Sequence, residues 1–140
     1  MSRYILDTNI LAFALSGETQ NLSVVTKNIL GDFSNQLYTS SICVLELLQL
    51  YRINKIKVKK FKTAFELVDA IENFLYIKIL PYSKQHNQTL AKLEVVDSHK
   101  DPFDHAIIAQ AISEKLILVS SDKKFKEYSE QNLDFVFNKR

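Results

Sequence analysis

Cysteine occurs once in this chain of 140 residues, at Cys43, so no intrachain disulfide can form. That absence fits a reducing cytosol. Glycine is confined to Gly17 and Gly31, and proline to Pro81 and Pro102. With so little of either, no linker, low-complexity tract or repeat marks a boundary, and one domain over residues 1–140 is expected. No apolar run approaches the roughly 20 residues that a membrane helix needs. The opening "MSRYILDTNIL" lacks a secretory n-region, apolar h-region and cleavage site. A cytoplasmic protein with no membrane contact is therefore expected. His86, His99, His105 and Cys43 have no zinc-type spacing, and no Ser–His or Cys–His pairing offers a protein nucleophile.

Forty-six per cent hydrophobic and 24% charged residues are an ordinary globular balance, enough to bury one core. Short strands and helices alternate. Tyr4–Leu6, Gln36–Ser40, Tyr76–Leu80, 116–121 and 134–137 read as strands. Helices are expected over 9–16, with Asp7 or Thr8 as cap, over 21–30, closed by Gly31, and over 42–51, capped by Ser40 or Ser41. Apolar residues at Phe61, Ala64, Phe65, Val68 and Ile71 predict a helix over 59–74. Helices over 83–95 and 101–115 and a short helical turn over 122–128 complete the reading. The alternation implies an α/β fold with a parallel sheet covered on both faces. In such sheets ligands bind beyond the carboxyl ends of the strands.

Carboxylates fall at those ends. Asp7 closes the first strand, and Asp122 follows the fourth after Ser120 and Ser121. Glu46 stands among Val44, Leu45, Leu47 and Leu48. "DPFDHAIIAQA" opens an almost wholly apolar helix, with Asp101 and Pro102 suited to its start. Asp104 is harder to explain, because a carboxylate entering a buried helix is costly unless something compensates it. Singly, each acid has a local reading: a cap at Asp7 and Asp122, a wet helix edge at Glu46, a dipole partner at Asp104. Together they would crowd at one end of one sheet, where mutual repulsion resists ionisation. A hard divalent cation resolves that conflict. Mg²⁺ or Mn²⁺ takes an all-oxygen shell that retains waters, a site suited to phosphodiester hydrolysis.

"YILDTNIL", "SSICVLELLQLYR", "DPFDHAIIAQA" and "LVSSDKKF" resemble the PIN-domain nucleases, most closely the VapC-type toxins of bacterial toxin–antitoxin pairs. The likeness spans nearly the whole chain. It implies a three-layer α/β/α domain with a five-stranded parallel sheet in the order 3-2-1-4-5. It also implies Asp7, Glu46, Asp104 and Asp122 as the metal-binding, catalytic acids, with Asp101 as an additional candidate ligand. Asn9 matches the asparagine that orients the first acid, and Ser120 a hydroxyl position where threonine is commoner. The activity implied is Mg²⁺- or Mn²⁺-dependent cleavage of RNA, leaving a 5′ phosphate and a 3′ hydroxyl. The partners implied are a second copy and a cognate antitoxin.

The antitoxin would cross helices near the N-terminus and the 59–74 helix, and could place an Arg or Lys in the acidic pocket. "ILAFAL" would suit that surface, although core burial explains it equally well. The chain departs from the family pattern at Cys43, where Ser or Thr is usual and which packs as a small hydrophobe. It departs again at His105, where Arg is common, leaving a phosphate contact or a surface histidine. His99 matches a residue often found there and has no role assigned. No departure removes a candidate ligand, which argues against a dead enzyme.

Lysines cluster in "KIKVKKFK" (55–62) and after Asp122. Lys57, Lys59, Lys60, Lys123 and Lys124 are candidate RNA contacts, against a solvated face as the plainer reading. Three other functions compete. A housekeeping RNA-processing nuclease would share the chemistry, and a non-enzymatic RNA-binding or regulatory module would need no acids. A haloacid-dehalogenase-type phosphatase needs a second aspartate where "DTN" has Asn9.

Overall fold

The strand-forming segments all join one sheet. In a computed structural model describing residues 1–140, β1 (Arg3–Leu6), β2 (Gln36–Ser40), β3 (Lys78–Leu80), β4 (Ile117–Ser120) and β5 (Phe135–Phe137) are parallel, in the order β3-β2-β1-β4-β5. Leu6 pairs with Thr39 on one side and Val119 on the other, so β1 sits at the switch between the two halves. Six α-helices connect the strands: α1 (Thr8–Ser16), α2 (Val24–Gly31), α3 (Ser41–Arg52), α4 (Ala64–Asn73), α5 (Lys84–Lys92) and α6 (Pro102–Glu114). Thr19–Asn21 and Lys123–Gln131 are 3₁₀ segments. The expected strand order and α/β class are both present.

Ile5, Leu6, Leu118 and Val119 are buried at the sheet centre, packed with Ile10 and Leu11 of α1, Leu47 of α3 and Ile107 and Ile108 of α6. Burying each such side chain contributes about 1.5–3 kcal/mol. α1 ends where Gly17 takes a left-handed φ of 75°, a conformation that a β-carbon disfavours. α6 is as enclosed as its sequence implied, with Ala106 through Ala111 all buried.

Several boundaries differ from expectation. The 59–74 helix begins only at Ala64, because Thr63 caps it: Thr63 Oγ1 accepts from the Glu66 N–H at 3.1 Å, and Glu66 Oε2 accepts from the Lys62 N–H at 2.7 Å. The lysine-rich 55–62 segment is irregular, which spares it like-charge neighbours on one helical face. The 21–30 helix begins at Val24, after Ser23 caps it, and ends at Gly31 rather than before it. Strand β3 starts at Lys78 because Tyr76 has a φ of 56°. The 83–95 helix stops at Lys92, and the turn after Asp122 runs on to Gln131. "ILAFAL" is core: Ile10, Leu11, Ala12, Phe13 and Leu15 are buried, so the reading of an exposed docking stripe there is set aside. No helix is long and apolar enough to cross a membrane.

Candidate metal centre

Asp7 leaves the sheet at the switch point. Its N–H donates to the Val119 carbonyl at 3.0 Å, one residue past β1, and its side chain caps α1 by accepting from the Thr8 N–H at 2.8 Å. Glu46 is carried in by the second turn of α3, where Thr8 Oγ1 donates to its Oε1. Asp101 caps α6 through the Phe103 N–H, and Asp104 follows in the first turn. Asp122 ends the turn after β4, accepting from the Lys124 N–H. These five carboxylates line one cavity of about 250 Å³, together with Thr8, Asn9 and Leu50. The acids predicted from sequence are therefore brought together, at the strand ends where they were expected.

Asp7 is the most enclosed of the five. Its Oδ2 accepts from Ser120 Oγ at 2.6 Å and from Asn9 Nδ2 at 3.4 Å, and Cys43 Sγ lies 3.9 Å from Oδ1. Asn9 also donates to Ser120 Oγ and accepts from the Ser121 N–H, tying the first strand's exit to the fourth's. Burial raises the Asp7 pKa from 3.8 to about 7; the Ser120 and Thr8 hydrogen bonds pull it back, while the charges of Asp104 and Glu46 add to the rise. Burial likewise raises Glu46 and Asp104. Thr8 opposes the rise at the first and His99 at the second, and neighbouring carboxylates reinforce it at both. Cys43 is buried as expected, and burial followed by the Asp7 charge pushes its thiol well up, so it stays protonated.

The remaining four acids share a pattern. In Glu46, Asp101, Asp104 and Asp122, one carboxylate oxygen accepts from a protein donor and the other accepts from none. No lysine or arginine forms an ion pair with any of the five. The donor set is all oxygen and strongly negative, which fits a hard divalent cation better than a soft one. No three side chains are already gathered as a ready-made ligand set. An ion such as Mg²⁺, which keeps several waters, does not need every carboxylate as a direct ligand.

Two supports were missed in the sequence. Thr8, read only as a possible cap, holds Glu46. His99, given no role, is buried, and its Nε2 lies 2.9 Å from Asp104 Oδ2. His105 is half-buried rather than a free surface histidine, and its Nε2 donates to the His99 carbonyl at 2.7 Å. Of the candidate RNA-binding lysines, Lys123 and Lys124 directly follow Asp122 and are exposed. Lys57, Lys59 and Lys60 line a separate hollow of about 520 Å³ with Ala14–Gly17 and Phe74. That hollow is at the far end of α1, about 13 Å along a helix of this length.

A family model described as "PIN domain" matches residues 4–131. No curated protein matches the sequence significantly. Among solved structures, the chain is similar to one in the crystal structure of VapBC2 from Rickettsia felis bound to a DNA fragment from their promoter. There the identity is 22%, the coverage 97% of this chain and 98% of that one, and the TM-score 0.69. DNA-bound VapBC from Salmonella typhimurium gives 20% identity, 98% coverage of each chain and a TM-score of 0.67. VapBC-5 from Mycobacterium tuberculosis, a member of the VapBC family of toxin–antitoxin systems, gives 13%, 98% and 99%, and 0.63. At these identities the likenesses establish the fold.

Proposed function

Since the chain belongs to the PIN-domain family, we propose that it is a divalent-metal-dependent endoribonuclease and the toxin of a toxin–antitoxin pair. The observation that carries the chemistry is the meeting of Asp7, Glu46, Asp101, Asp104 and Asp122 around one cavity with no lysine or arginine paired to any of them. Asp7, Glu46, Asp104 and Asp122 would hold Mg²⁺ or Mn²⁺, and Asp101 stands at the exposed rim as a further ligand. When bound, such an ion activates water and offsets charge on the phosphate oxygens.

The chain's own residues do the rest. Ser120 and Asn9 fix the Asp7 carboxylate, and Thr8 fixes that of Glu46. No side-chain nucleophile is needed, so water attacks the phosphorus and the ester bond to the 3′ oxygen breaks. That leaves a 5′ phosphate and a 3′ hydroxyl. Setting the five acids aside, the chain has 18 basic residues against the 11 that remain of its 16 acidic ones. A surface of that balance draws in a polyanion. Lys123 and Lys124 directly follow Asp122 in the chain, and Lys57, Lys59 and Lys60 offer a second phosphate-binding stretch beyond α1.

The toxin role and the cognate antitoxin draw on the fold shared with chains of VapBC structures, and a homodimer on the family resemblance alone. With "ILAFAL" buried, the α4 surface is the better docking face: Phe65 is 81% exposed and Phe74 47%. Induced expression of the wild type beside Asp7→Ala, with total RNA sequenced for new 5′ ends, tests the reading. Growth arrest and new ends from the wild type alone are expected. Equal growth and identical RNA ends in both strains would refute it. New ends without arrest would point to RNA processing instead of a toxin.

A further inference from the structure

Behind Asp104 a buried chain of hydrogen bonds runs away from the cavity. The Val96 N–H donates to Tyr128 Oη at 3.2 Å. Tyr128 Oη is 2.9 Å from His99 Nδ1, and His99 Nε2 is 2.9 Å from Asp104 Oδ2. Both His99 and Tyr128 are buried, at 2% and 0% exposure. A phenol has one hydrogen to give. With its oxygen already accepting from Val96, the only other partner of that hydroxyl is Nδ1 of His99. The hydroxyl therefore donates to Nδ1, and the ring hydrogen must sit on Nε2, facing Asp104. Edge contacts from His105 and Phe125, at 4.9 and 5.8 Å between ring centres, hold the imidazole plane. Asp104 Oδ1 receives no protein donor.

From this arrangement we infer that His99, locked in its Nε2–H tautomer by Tyr128, is a positioning residue for Asp104, holding Oδ2 so that Oδ1 stays free for the cation. The inference rests on the metal-dependent reading of the cavity. It explains why a carboxylate at the mouth of a buried helix has a neutral donor behind it rather than a lysine. A lysine would neutralise Asp104 permanently, whereas a neutral imidazole orients it and leaves its charge to the metal. His86 gives an internal contrast. It too is buried and bonded to a carboxylate, Glu114, with its Nδ1 accepting from the Ser83 N–H. Glu114 lies at the other end of α6 and lines none of the acidic cavity, so that pair only fastens α5 to α6.

The test is a Mn²⁺ titration of the full chain, followed by electron paramagnetic resonance, for the wild type, His99→Phe and His99→Gln. Phenylalanine keeps the ring and removes the donor, whereas the glutamine amide restores an N–H toward Asp104. Removing an outer-shell donor of this kind typically weakens metal binding about 10–100-fold, the loss expected for His99→Phe, while His99→Gln should stay within about threefold of the wild type. Wild-type affinity in folded His99→Phe, or a glutamine variant as weak as the phenylalanine one, would overturn the assignment.

Should His99→Phe fail to fold, Tyr128→Phe decides. Nitrogen-15 spectra of its histidines should show His99 losing the pure Nε2–H form, with weakened Mn²⁺ binding. An unchanged tautomer with unchanged affinity would overturn the inference. A wild-type protein that binds no Mn²⁺ sinks the metal reading itself, an outcome separated from the others by the first titration.

Discussion

Ser120 Oγ donates to Asp7 Oδ2 at 2.6 Å, joining residues 113 positions apart at the carboxyl ends of adjacent strands. The same hydroxyl accepts from Asn9 Nδ2 at 3.2 Å and from the Asp122 N–H at 3.1 Å. One buried oxygen thus sets the carboxylate after β1, the asparagine beside it and the turn carrying Asp122. Ser120→Ala removes all three bonds and leaves buried groups unpaired, at about 1–3 kcal/mol. Urea unfolding should show a loss of that size. The Asp7 carboxyl, deprived of a donor that favours its charged form, should titrate higher in carbon-13 spectra. An unchanged midpoint and titration would show that the hydroxyl does not hold Asp7.

Stability should depend on pH in the metal-free protein, and the sign follows from Asp7. Unfolded, the carboxyl titrates near 3.8; folded, burial raises it to about 7. Between those values the folded state holds a proton that the unfolded state has lost, so stability falls as pH rises through the interval. A span of about three pH units corresponds to about 4 kcal/mol. Thermal unfolding in EDTA should give a lower midpoint at pH 8 than at pH 5. Asp7→Asn should flatten this dependence and raise the midpoint at pH 8. A midpoint that rises across the interval in the wild type would contradict the assignment.

Lys57, Lys59 and Lys60 stand on an irregular segment at the far end of α1, with Lys60 Nζ 3.7 Å from the centre of the Phe74 ring. Replacing all three by Gln should weaken single-stranded RNA binding most at low salt. The slope of log affinity against log salt should flatten by about 2, near 0.7 for each phosphate that a lysine no longer neutralises. Fluorescence anisotropy at several salt concentrations measures this. Unchanged slopes would make these lysines a solvated face.

How much of this was legible in the sequence depends on the range of the interaction. Asp7 and Asp122 could be placed because strand ends are marked locally by short apolar runs, and Glu46 and Asp104 because their neighbours were apolar. The parallel sheet followed from alternation, and its order from the family likeness. The start of α4 carries two conflicting signals: "TAFE" (63–66) has the Thr and Glu spacing of a capping box, while the apolar period runs back past it to Phe61.

Other relations leave no local mark. His99 acquires meaning only from Tyr128, 29 residues later, and from Asp104. Asn138 is buried and accepts from the Ser23 N–H at 2.7 Å while donating to the Asn21 carbonyl and to Ser121. It thereby anchors the start of α2 to the loop after β4. Nothing near residue 138 announces that, because Ser23 and Asn21 lie more than a hundred residues away on another element.

The most direct measurement is cleavage of a defined single-stranded RNA by the purified chain, with Mg²⁺ or Mn²⁺ and with EDTA, beside Asp7→Ala and Asp104→Ala. Cleavage with the metals, leaving 5′-phosphate ends, is expected, together with its loss in EDTA. A fall of about a thousandfold or more in each variant is also expected, as when a group acting within a catalytic unit is removed. Undiminished cleavage in EDTA, or by a folded Asp7→Ala protein, would contradict the account.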